Sequence, residues 1–356
     1  MEELFLKEIE KGKWKGLREE RFNDVFKKRI YLKPADFKLT NYEGRQLLAV
    51  FNPGIITTKE EVFIFPRLIF DYYQYTSSIG VTRVKIKDII DGNLKKPLET
   101  KIILYPKEVW EFLGCEDPRG SVGFEAMRLY DEVNEFELLY TGKGYYYKKE
   151  NIYEEKLTRR NVLAVATFDK DFNVKERKYF KIVDGEKVLI PKSNKDSSFI
   201  EKRGNKCTML TRPEMLGFGG CWSGVCDIEK FEIEADSLKL LIGPEEWEYK
   251  TGWSTNVVKL EDEKYIAGFH GILKKDLTYV DGFAILDGDG NLLGITDYLL
   301  YPRGVDEEYG DRALVIFGDG LFIYDEYIIW IGGMSDYAIG IFIAKLKDVL
   351  KKVKYL

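Results

Sequence analysis

Histidine and cysteine are scarce in this sequence. His270 is the single histidine among 356 residues, and the cysteines are Cys115, Cys207, Cys221 and Cys226. These cysteines have neither the spacing of a zinc site nor the density of a disulfide scaffold. No cluster of histidine, cysteine and carboxylate is visible along the chain, so the sequence predicts no metal and no cofactor.

Long apolar runs are also missing. No segment is long enough to span a bilayer. The start, Met1-Glu2-Glu3-Leu4, lacks the basic stretch and apolar run of a signal peptide. We therefore expect a protein of the reducing cytoplasm.

An excess of positive charge is absent as well. Lys+Arg total 55 and Asp+Glu total 60, which gives a net charge of −5. No overall field draws nucleic acid or an anionic membrane to the protein, so we expect neither as a partner. The 45% hydrophobic and 32% charged fractions fit a globular protein with an ample core.

Aromatic residues are abundant, with 23 Tyr, 22 Phe and 6 Trp, and this composition favours strands. From Leu47 onward, a unit of a polar opening segment and two following strands recurs five times, with a period on the order of 60–70 residues. The openings are Asn52-Pro53, Glu116-Asp117-Pro118-Arg119, Asn194-Lys195-Asp196, Gly252-Trp253-Ser254 and Gly310-Asp311-Arg312.

Five units of short strands predict an all-β protein, a five-bladed β-propeller in one domain over residues 1–356. Residues 1–45 form an N-terminal extension or part of the closing blade. Residues 143–159 are predicted to be an inserted loop that covers a pocket or makes an oligomer contact. Residues 344–356 are predicted to be a short C-terminal helix.

The repeat predicts where polar side chains meet. In a propeller, the opening residues converge on the axis, which places Asn52, Asp117, Lys195, Trp253 and Arg312 on one rim. A second ring is predicted at the ends of the second strands: Arg67, Thr141, Arg212, His270 and Asp336. The alternative is that these equivalent residues only satisfy hydrogen bonds in turns.

Asp117 has an unusual local setting. Pro118 disfavours helical geometry for the residue before it, so we expect Asp117 to be extended and aimed. Arg119 is near enough to hold a carboxylate ionised or to bind an anion. The alternative is a turn with a surface ion pair.

The chain resembles glycoside hydrolase family 130, the β-mannoside phosphorylases and related β-mannosidases. The resemblance extends over about residues 47–345, in the family's order. The matching strings are Phe51-Asn52-Pro53, Ser77-Ser78-Ile79-Gly80, Gly114-Cys115-Glu116-Asp117-Pro118-Arg119, Asn194-Lys195-Asp196, Arg212-Pro213, His270-Gly271 and Ser335-Asp336 before Ile339-Gly340. Residues 1–45 and 143–159 and the pair Asp281-Gly282 depart from the pattern.

The resemblance implies a five-bladed propeller and inverting phosphorolysis of a β-mannoside to α-mannose 1-phosphate. Asp117 matches the family's catalytic acid, which acts through a substrate hydroxyl. Because phosphate is already an anionic nucleophile, a phosphorylase needs cations in place of a second carboxylate. The candidates for phosphate are Arg160, Asn161, Lys195, Arg212 and His270. The candidates for sugar are Asn52, Arg67, Ser78, Glu116, Arg119, Asp196 and Asp336.

Two other functions stay open on sequence alone. An inverting hydrolase would use a carboxylate such as Glu116, Asp196 or Asp281 to activate water. A non-catalytic propeller would bind carbohydrate without turnover. The predicted partners are a mannoside or oligosaccharide and inorganic phosphate as co-substrate, with a homo-oligomer possible.

Overall fold

The computed structural model describes residues 2–121, 135–149 and 155–356. Strands dominate these residues, which confirms the predicted all-β class. The helices are short and few: Glu2–Lys11, Ile86–Asp91, Val305–Glu308 and Leu346–Leu350, with 3-10 turns at Pro34–Asp36, Val109–Glu111 and Ala235–Ser237.

Hydrogen bonds join the strands into sheets of four, six and sixteen strands, none closed on itself over the described residues. The largest sheet consists of three groups of mainly antiparallel strands. Single parallel pairs, Ser77 with Gly114 and Asn161 with Ser193, connect these groups. With the two smaller sheets, five strand groups follow one another along the chain.

The five groups have the following strands. The first contains Phe37–Leu39, Ala49–Thr57, Glu61–Ile69, Ser77–Lys85 and Leu98–Leu104. The second contains Gly114–Ser121, Glu135–Lys149, Glu155–Asp169 and Val174–Tyr179. The third contains Lys181–Asp184, Lys187–Leu189, Ser193–Arg203, Lys206–Glu214, Cys221–Asp227, Glu232–Glu234 and Lys239–Ile242. The fourth contains Glu248–Trp253, Val258–Lys259, Lys264–Leu273, Tyr279–Asp287, Leu292–Ile295 and Lys354–Tyr355. The fifth contains Ile316–Tyr324, Tyr327–Met334, Ala338–Lys345 and Lys28–Leu32.

Both ends of the chain join sheets. Lys28–Leu32 pairs antiparallel with Ala338–Lys345, so an N-terminal strand completes the C-terminal group. Lys354–Tyr355 pairs with the end of the fourth group.

The core lies between the faces of neighbouring groups. Val50 and Ile64 of the first group pack with Ile341 of the fifth. Similar buried clusters lie between the first and second, second and third, third and fourth, and fourth and fifth groups. Each group therefore buries both faces against two neighbours.

The predicted C-terminal helix over residues 344–356 is wrong in its bounds. The strand continues to Lys345, and the helix covers Leu346–Leu350. Ile341 and Phe342 pack into different clusters, so both faces of this strand are apolar. A strand buried on both faces loses its alternation, which made its end ambiguous in sequence.

The predicted inserted loop is also corrected where the structure describes it. Glu135–Lys149 and Glu155–Asp169 pair in one continuous register from Glu135 with Asp169 to Lys149 with Glu155. The insert therefore lengthens an existing hairpin. Residues 150–154 of the predicted loop lie outside the described residues.

Candidate functional site

In each of the first three groups, the strand that opens the predicted repeat unit carries a bulge at a polar residue. These strands, here called first strands, are Ala49–Thr57, Gly114–Ser121 and Ser193–Arg203. Asn52, Asp117 and Asp196 have φ of 43°, 49° and 51°, and the pairing register shifts around each of them. Asparagine and aspartate tolerate positive φ better than most residues, and a bulge re-aims a side chain. Asp117 is thus aimed by left-handed geometry, which corrects the extended geometry expected before Pro118.

The second strands face these bulges at matching positions. Arg67 pairs with Phe51, Thr141 with Glu116, Arg212 with Lys195, and His270 with Gly252. These registers confirm that Arg67, Thr141, Arg212 and His270 occupy equivalent places in the repeat.

The predicted opening of the fifth unit, at residues 310–312, is wrong. That segment is a turn, and the first strand of the fifth group is Ile316–Tyr324, with a register shift around Asp319. Asp319 therefore takes the equivalent place, fully buried. The flanking glycines in Phe317-Gly318-Asp319-Gly320 were the available signal.

Asp117 is held on one side of its carboxylate. Its Oδ1 accepts hydrogen bonds from Asn52 Nδ2 at 2.9 Å and Arg67 Nη1 at 3.0 Å. Within the described residues, no hydrogen bond to Oδ2 is present. One carboxylate oxygen is therefore fixed, and the other remains available.

Arg67 bridges Asp117 and its neighbour Glu116. Its Nη2 donates to Glu116 Oε1 at 2.7 Å, and its guanidinium lies over the Phe51 ring, 4.8 Å from the centroid. Burial opposes the charge of Arg67, but Glu116 and Asp117 outweigh it and raise its pKa above the usual value. The guanidinium stays charged and fixes both carboxylates.

Arg119 lies beneath this pair and is almost fully buried. Its Nη1 donates to the Asp117 carbonyl at 3.0 Å, its Nε donates to the Ser254 carbonyl at 2.8 Å, and its Nη2 lies 2.9 Å from Asp319 Oδ1. Burial raises the pKa of Asp319 well above its usual value, with Arg119 opposing. Arg119 thus ties together three groups of strands under the site.

A chain of contacts leads from Arg212 into the core. Arg212 Nη1 lies 3.1 Å from His270 Nε2, and His270 Nδ1 lies 3.4 Å from Ser254 Oγ, which donates to Asp281 Oδ1 at 2.5 Å. Because arginine only donates, Nε2 must accept and Nδ1 carries the proton. On its other side, Arg212 Nη1 contacts Asp196 Oδ2.

His270 and Asp281, at the buried end of this series of contacts, have strongly shifted pKa values. Burial, with the positive charges of Arg212 and Lys195, holds the pKa of His270 well below its usual range. His270 is therefore neutral, which corrects its predicted place among the cations. Burial also raises the pKa of Asp281 to about 8.

A cavity of about 750 Å³ adjoins Glu116. Eight basic residues line it: Lys143, Arg159, Arg160, Lys192, Lys195, Arg212, Lys250 and Arg312. Glu116 and Glu214 are the acids in the lining, and Tyr249, Leu277 and Tyr279 add apolar surface. The cavity can hold an anion beside a sugar-sized group.

The predicted residues divide into two sets. Glu116, Arg160, Asn161, Lys195 and Arg212 line the cavity. The other predicted residues, Asp117 among them, do not line the cavity and are buried or half-buried: Asn52, Arg67, Ser78, Asp117, Arg119, Asp196, His270 and Asp336.

Two of that second set have distinctive settings. Ser78 Oγ is buried and lacks a hydrogen-bond partner among the described residues. Burial raises the pKa of Asp336 to about 6, with Arg67 opposing.

Sequence reasoning missed much of the basic lining. Lys143, Arg159, Lys192 and Lys250 were not predicted as site residues. Lys143 Nζ donates to Glu116 Oε1 at 2.9 Å. Lysine and arginine are so frequent in this chain that only spatial convergence singles these out.

The described part of the chain has neither a membrane-spanning helix nor a metal site. No helix there is long and apolar enough to cross a bilayer. No group of three or more histidine, cysteine or carboxylate residues there is arranged to hold a metal ion.

The described strand groups bury several carboxylates close to a basic cavity, an arrangement that can hold an anion. A family model described as beta-1,4-mannooligosaccharide phosphorylase matches residues 17–355. The chain belongs to glycoside hydrolase family 130, which confirms the resemblance seen in the sequence.

Solved structures share this fold at low identity. A β-1,2-mannobiose phosphorylase from Listeria innocua, in complex with β-1,2-mannobiose, has a TM-score of 0.66 at 19% identity, over 91% of this chain and 98% of that one. A mannose phosphorylase from Leishmania mexicana, in complex with phosphate ion, has a TM-score of 0.57 at 14% identity, over 91% and 89%. Another structure, reported with family members that hydrolyse β-1,2 mannosidic linkages, has a TM-score of 0.57 at 16% identity, over 84% and 85%. No curated protein sequence matches the chain.

Proposed function

We propose that this protein is a phosphorylase that cleaves a β-mannoside with inorganic phosphate, inverts the anomeric carbon and releases α-mannose 1-phosphate. The observation that carries the proposal is the basic cavity lined by Glu116, the chain neighbour of Asp117, with Arg67 contacting both carboxylates. Its relatives include phosphorylases of mannosides, one of them with bound phosphate.

Asp117 is the proposed catalytic acid. Arg67 and Asn52 fix its Oδ1, so Oδ2 is free to deliver a proton towards the departing glycosidic oxygen, through a substrate hydroxyl. Positioned proton donors contribute roughly 10²–10⁴-fold to rates. Arg119, which donates to the Asp117 carbonyl, fixes the backbone that aims the carboxylate.

The cations of the cavity supply the other requirement of the reaction. Arg160, Lys195 and Arg212, with Asn161 as a neutral donor, line the same cavity as Glu116. Guanidinium and ammonium groups hold phosphate against an electrophilic carbon and offset its charge. Asp196 and neutral His270 contact Arg212 from behind and fix the direction of its guanidinium.

The fold supports convergence at one centre. We infer that the five strand groups form a five-bladed ring, because buried clusters lie between each consecutive pair and between the fifth and the first. Inner strands also come close: a Cβ on Gly54 would lie 2.2 Å from the Pro118 carbonyl oxygen. Radial packing of this kind leaves only short edges.

The test is incubation with mannobiose and related β-mannosides, with and without inorganic phosphate. We expect phosphate-dependent formation of α-mannose 1-phosphate, one molecule for each bond cleaved. Free mannose without phosphate would instead identify a hydrolase, which the hydrolytic relatives make the second candidate. Binding without turnover would identify a carbohydrate-binding protein. Full activity in chelator is expected, because the proposed reaction needs no cofactor.

Variants of the cations test the phosphate contacts. Arg160→Ala or Lys195→Ala should raise the KM for phosphate about ten-fold or more, since each removes a charged donor. The KM for a neutral mannoside should change much less. Lys95→Ala, on an exposed lysine of a separate cavity, is the matched control. Equal changes in both KM values would argue against phosphate contacts.

A further inference from the structure

The cavity contains more positive charge than one phosphate ion requires. Carboxylates contact three of its eight cations: Glu116 contacts Lys143, Asp196 contacts Arg212, and Glu214 lies 3.5 Å from Lys250. The other five have no carboxylate contact within the described residues: Arg159, Arg160, Lys192, Lys195 and Arg312. A bound phosphate brings roughly two negative charges.

These five cations come from different parts of the cavity wall. Arg160 and Lys195 lie on two strands that are joined by the Ser193–Asn161 pair. Arg312 comes from the fifth unit, where its Nη2 donates to Tyr279 Oη at 3.0 Å and its guanidinium lies over that ring at 4.7 Å. Tyr279 therefore holds Arg312 in place at the cavity, and no carboxylate of the described residues forms an ion pair with it, although its charge acts on Asp336.

Like charges that converge in one cavity repel each other, and a second anion would relieve this. The apolar surface among the cations, Tyr249 and Leu277, is more than half exposed, as a platform for a sugar ring would be. Anion-binding groups and a sugar platform thus occupy the same cavity.

We propose that the mannoside substrate is itself anionic. Its leaving group is a sugar or small polyol that carries a phosphate or a carboxylate, which Arg312, Lys192 and Arg159 bind. Arg160 and Lys195 bind the attacking phosphate. This inference rests on the proposed function, because it names the substrate of that reaction. The two anion positions are a property of the cavity and can be tested without turnover.

The first experiment measures binding at saturating inorganic phosphate. Mannose 6-phosphate, glucuronate and glucose 6-phosphate are compared by calorimetry with mannose and glucose. We expect an anionic sugar to bind at least ten-fold more tightly than its neutral counterpart while phosphate is present. Loss of that preference at saturating phosphate would mean a single anion position and would overturn the proposal. The phosphate and carboxylate ligands together identify which anion is preferred.

The second experiment uses variants of the outer cations. Arg312→Gln and Lys192→Gln should reduce the ratio of anionic to neutral affinity several-fold, and the double variant should bring it close to one. Lys95→Gln is the control and should leave the ratio unchanged. An unchanged ratio in the double variant would overturn the assignment of these residues.

Turnover separates this inference from the proposed function. In the synthetic direction, α-mannose 1-phosphate is supplied with glucose or glucose 6-phosphate, and phosphate release is measured. Release with glucose at an equal or higher kcat/KM would leave a phosphorylase with a neutral substrate, which overturns only the inference. No release with any acceptor would overturn the proposed function, while the binding results still decide the question of a second anion.

Discussion

At the scale of single residues, the site depends on carboxylates with different surroundings. Asp117 is bonded at one oxygen, Asp196 contacts Arg212, and Asp319 is buried beside Arg119. All three occupy the same place in first strands of the repeat. Asp117 and Asp196 share a positive φ that Asp319 lacks, and the neighbours of each carboxylate decide its role.

Asp117→Asn tests the role of Asp117 as a proton donor without changing its role in the fold. Asparagine tolerates the same positive φ and still offers an oxygen to Asn52 and Arg67, so we expect an intact fold. Turnover should fall by roughly 10²–10⁴-fold, because no proton donor remains. The measurements are kcat and the thermal midpoint. Asp325→Asn, at an exposed aspartate with φ of 50°, is the matched control and should remain active.

Ionisation of Asp281 should make the free energy of unfolding depend on pH. Its pKa is raised by burial to about 8, from a value of 3.8 when unfolded, so the folded state holds the proton more tightly. The penalty for ionising Asp281 is absent below the unfolded pKa and grows as pH rises towards the folded pKa. Each pH unit within that window costs about 1.4 kcal/mol.

Asp281→Asn should remove this ionisation penalty and keep an acceptor for the hydrogen bond from Ser254. In urea unfolding, the variant should gain stability relative to the parent between pH 5 and pH 8, by up to about 4 kcal/mol. Asp289→Asn, at an exposed aspartate, is the control and should show a constant difference. A pH-independent difference for Asp281→Asn would contradict the assignment.

The positions of the polar residues in the second ring were predictable from the sequence, but their charge states were not. The ring of Arg67, Thr141, Arg212 and His270 was predictable because the repeat places each residue at an equivalent position. The neutral state of His270 was not predictable. It depends on burial and on Arg212, which comes from another strand group. Charge state is set by neighbours in space, and one sequence does not show them.

At the scale of elements, the existence of the strands was predictable and their ends were not. The second and third strands of the units were predictable from short apolar runs between turns. The helix over residues 344–356 was misread because its strand is buried on both faces. The fifth opening was misplaced because the polar residues at 310–312 resembled the other openings, while Asp319 lies within an apolar strand.

Gly54→Ala tests how closely the strands Ala49–Thr57 and Gly114–Ser121 approach each other. A Cβ at Gly54 would lie 2.2 Å from the Pro118 carbonyl oxygen, a backbone atom that cannot move alone. Gly54→Ala should therefore reduce the free energy of unfolding by about 1–3 kcal/mol, as overpacking does. It should also reduce kcat, because the displaced strand carries Asp117.

Gly44→Ala is the control for that substitution. Its Cβ would meet the side chain of Tyr42, which is partly exposed and can rotate away. Denaturant unfolding of both variants makes the comparison. Equal small effects would mean that the two inner strands are less closely packed at Gly54 than the geometry indicates.

At the scale of the whole molecule, charge is unevenly distributed. The chain has a net charge of −5, yet eight basic residues surround the cavity. The amino-acid composition argues against attraction of polyanions by the whole protein. It does not reveal the local positive charge at the cavity. The basic residues come from separate units, so only the folded arrangement concentrates their charge at the cavity.

This concentration predicts that salt weakens phosphate binding selectively. The screening length falls from about 10 Å at 0.1 M salt to about 3 Å at 1 M. Between these concentrations of sodium chloride, the KM for phosphate should rise several-fold, while the KM for a neutral mannoside stays within about two-fold. Lys195→Ala should reduce the salt dependence, because one fewer cation attracts the anion. If both KM values rise in parallel, the effect of salt is on the fold, and the cavity charges do not attract phosphate.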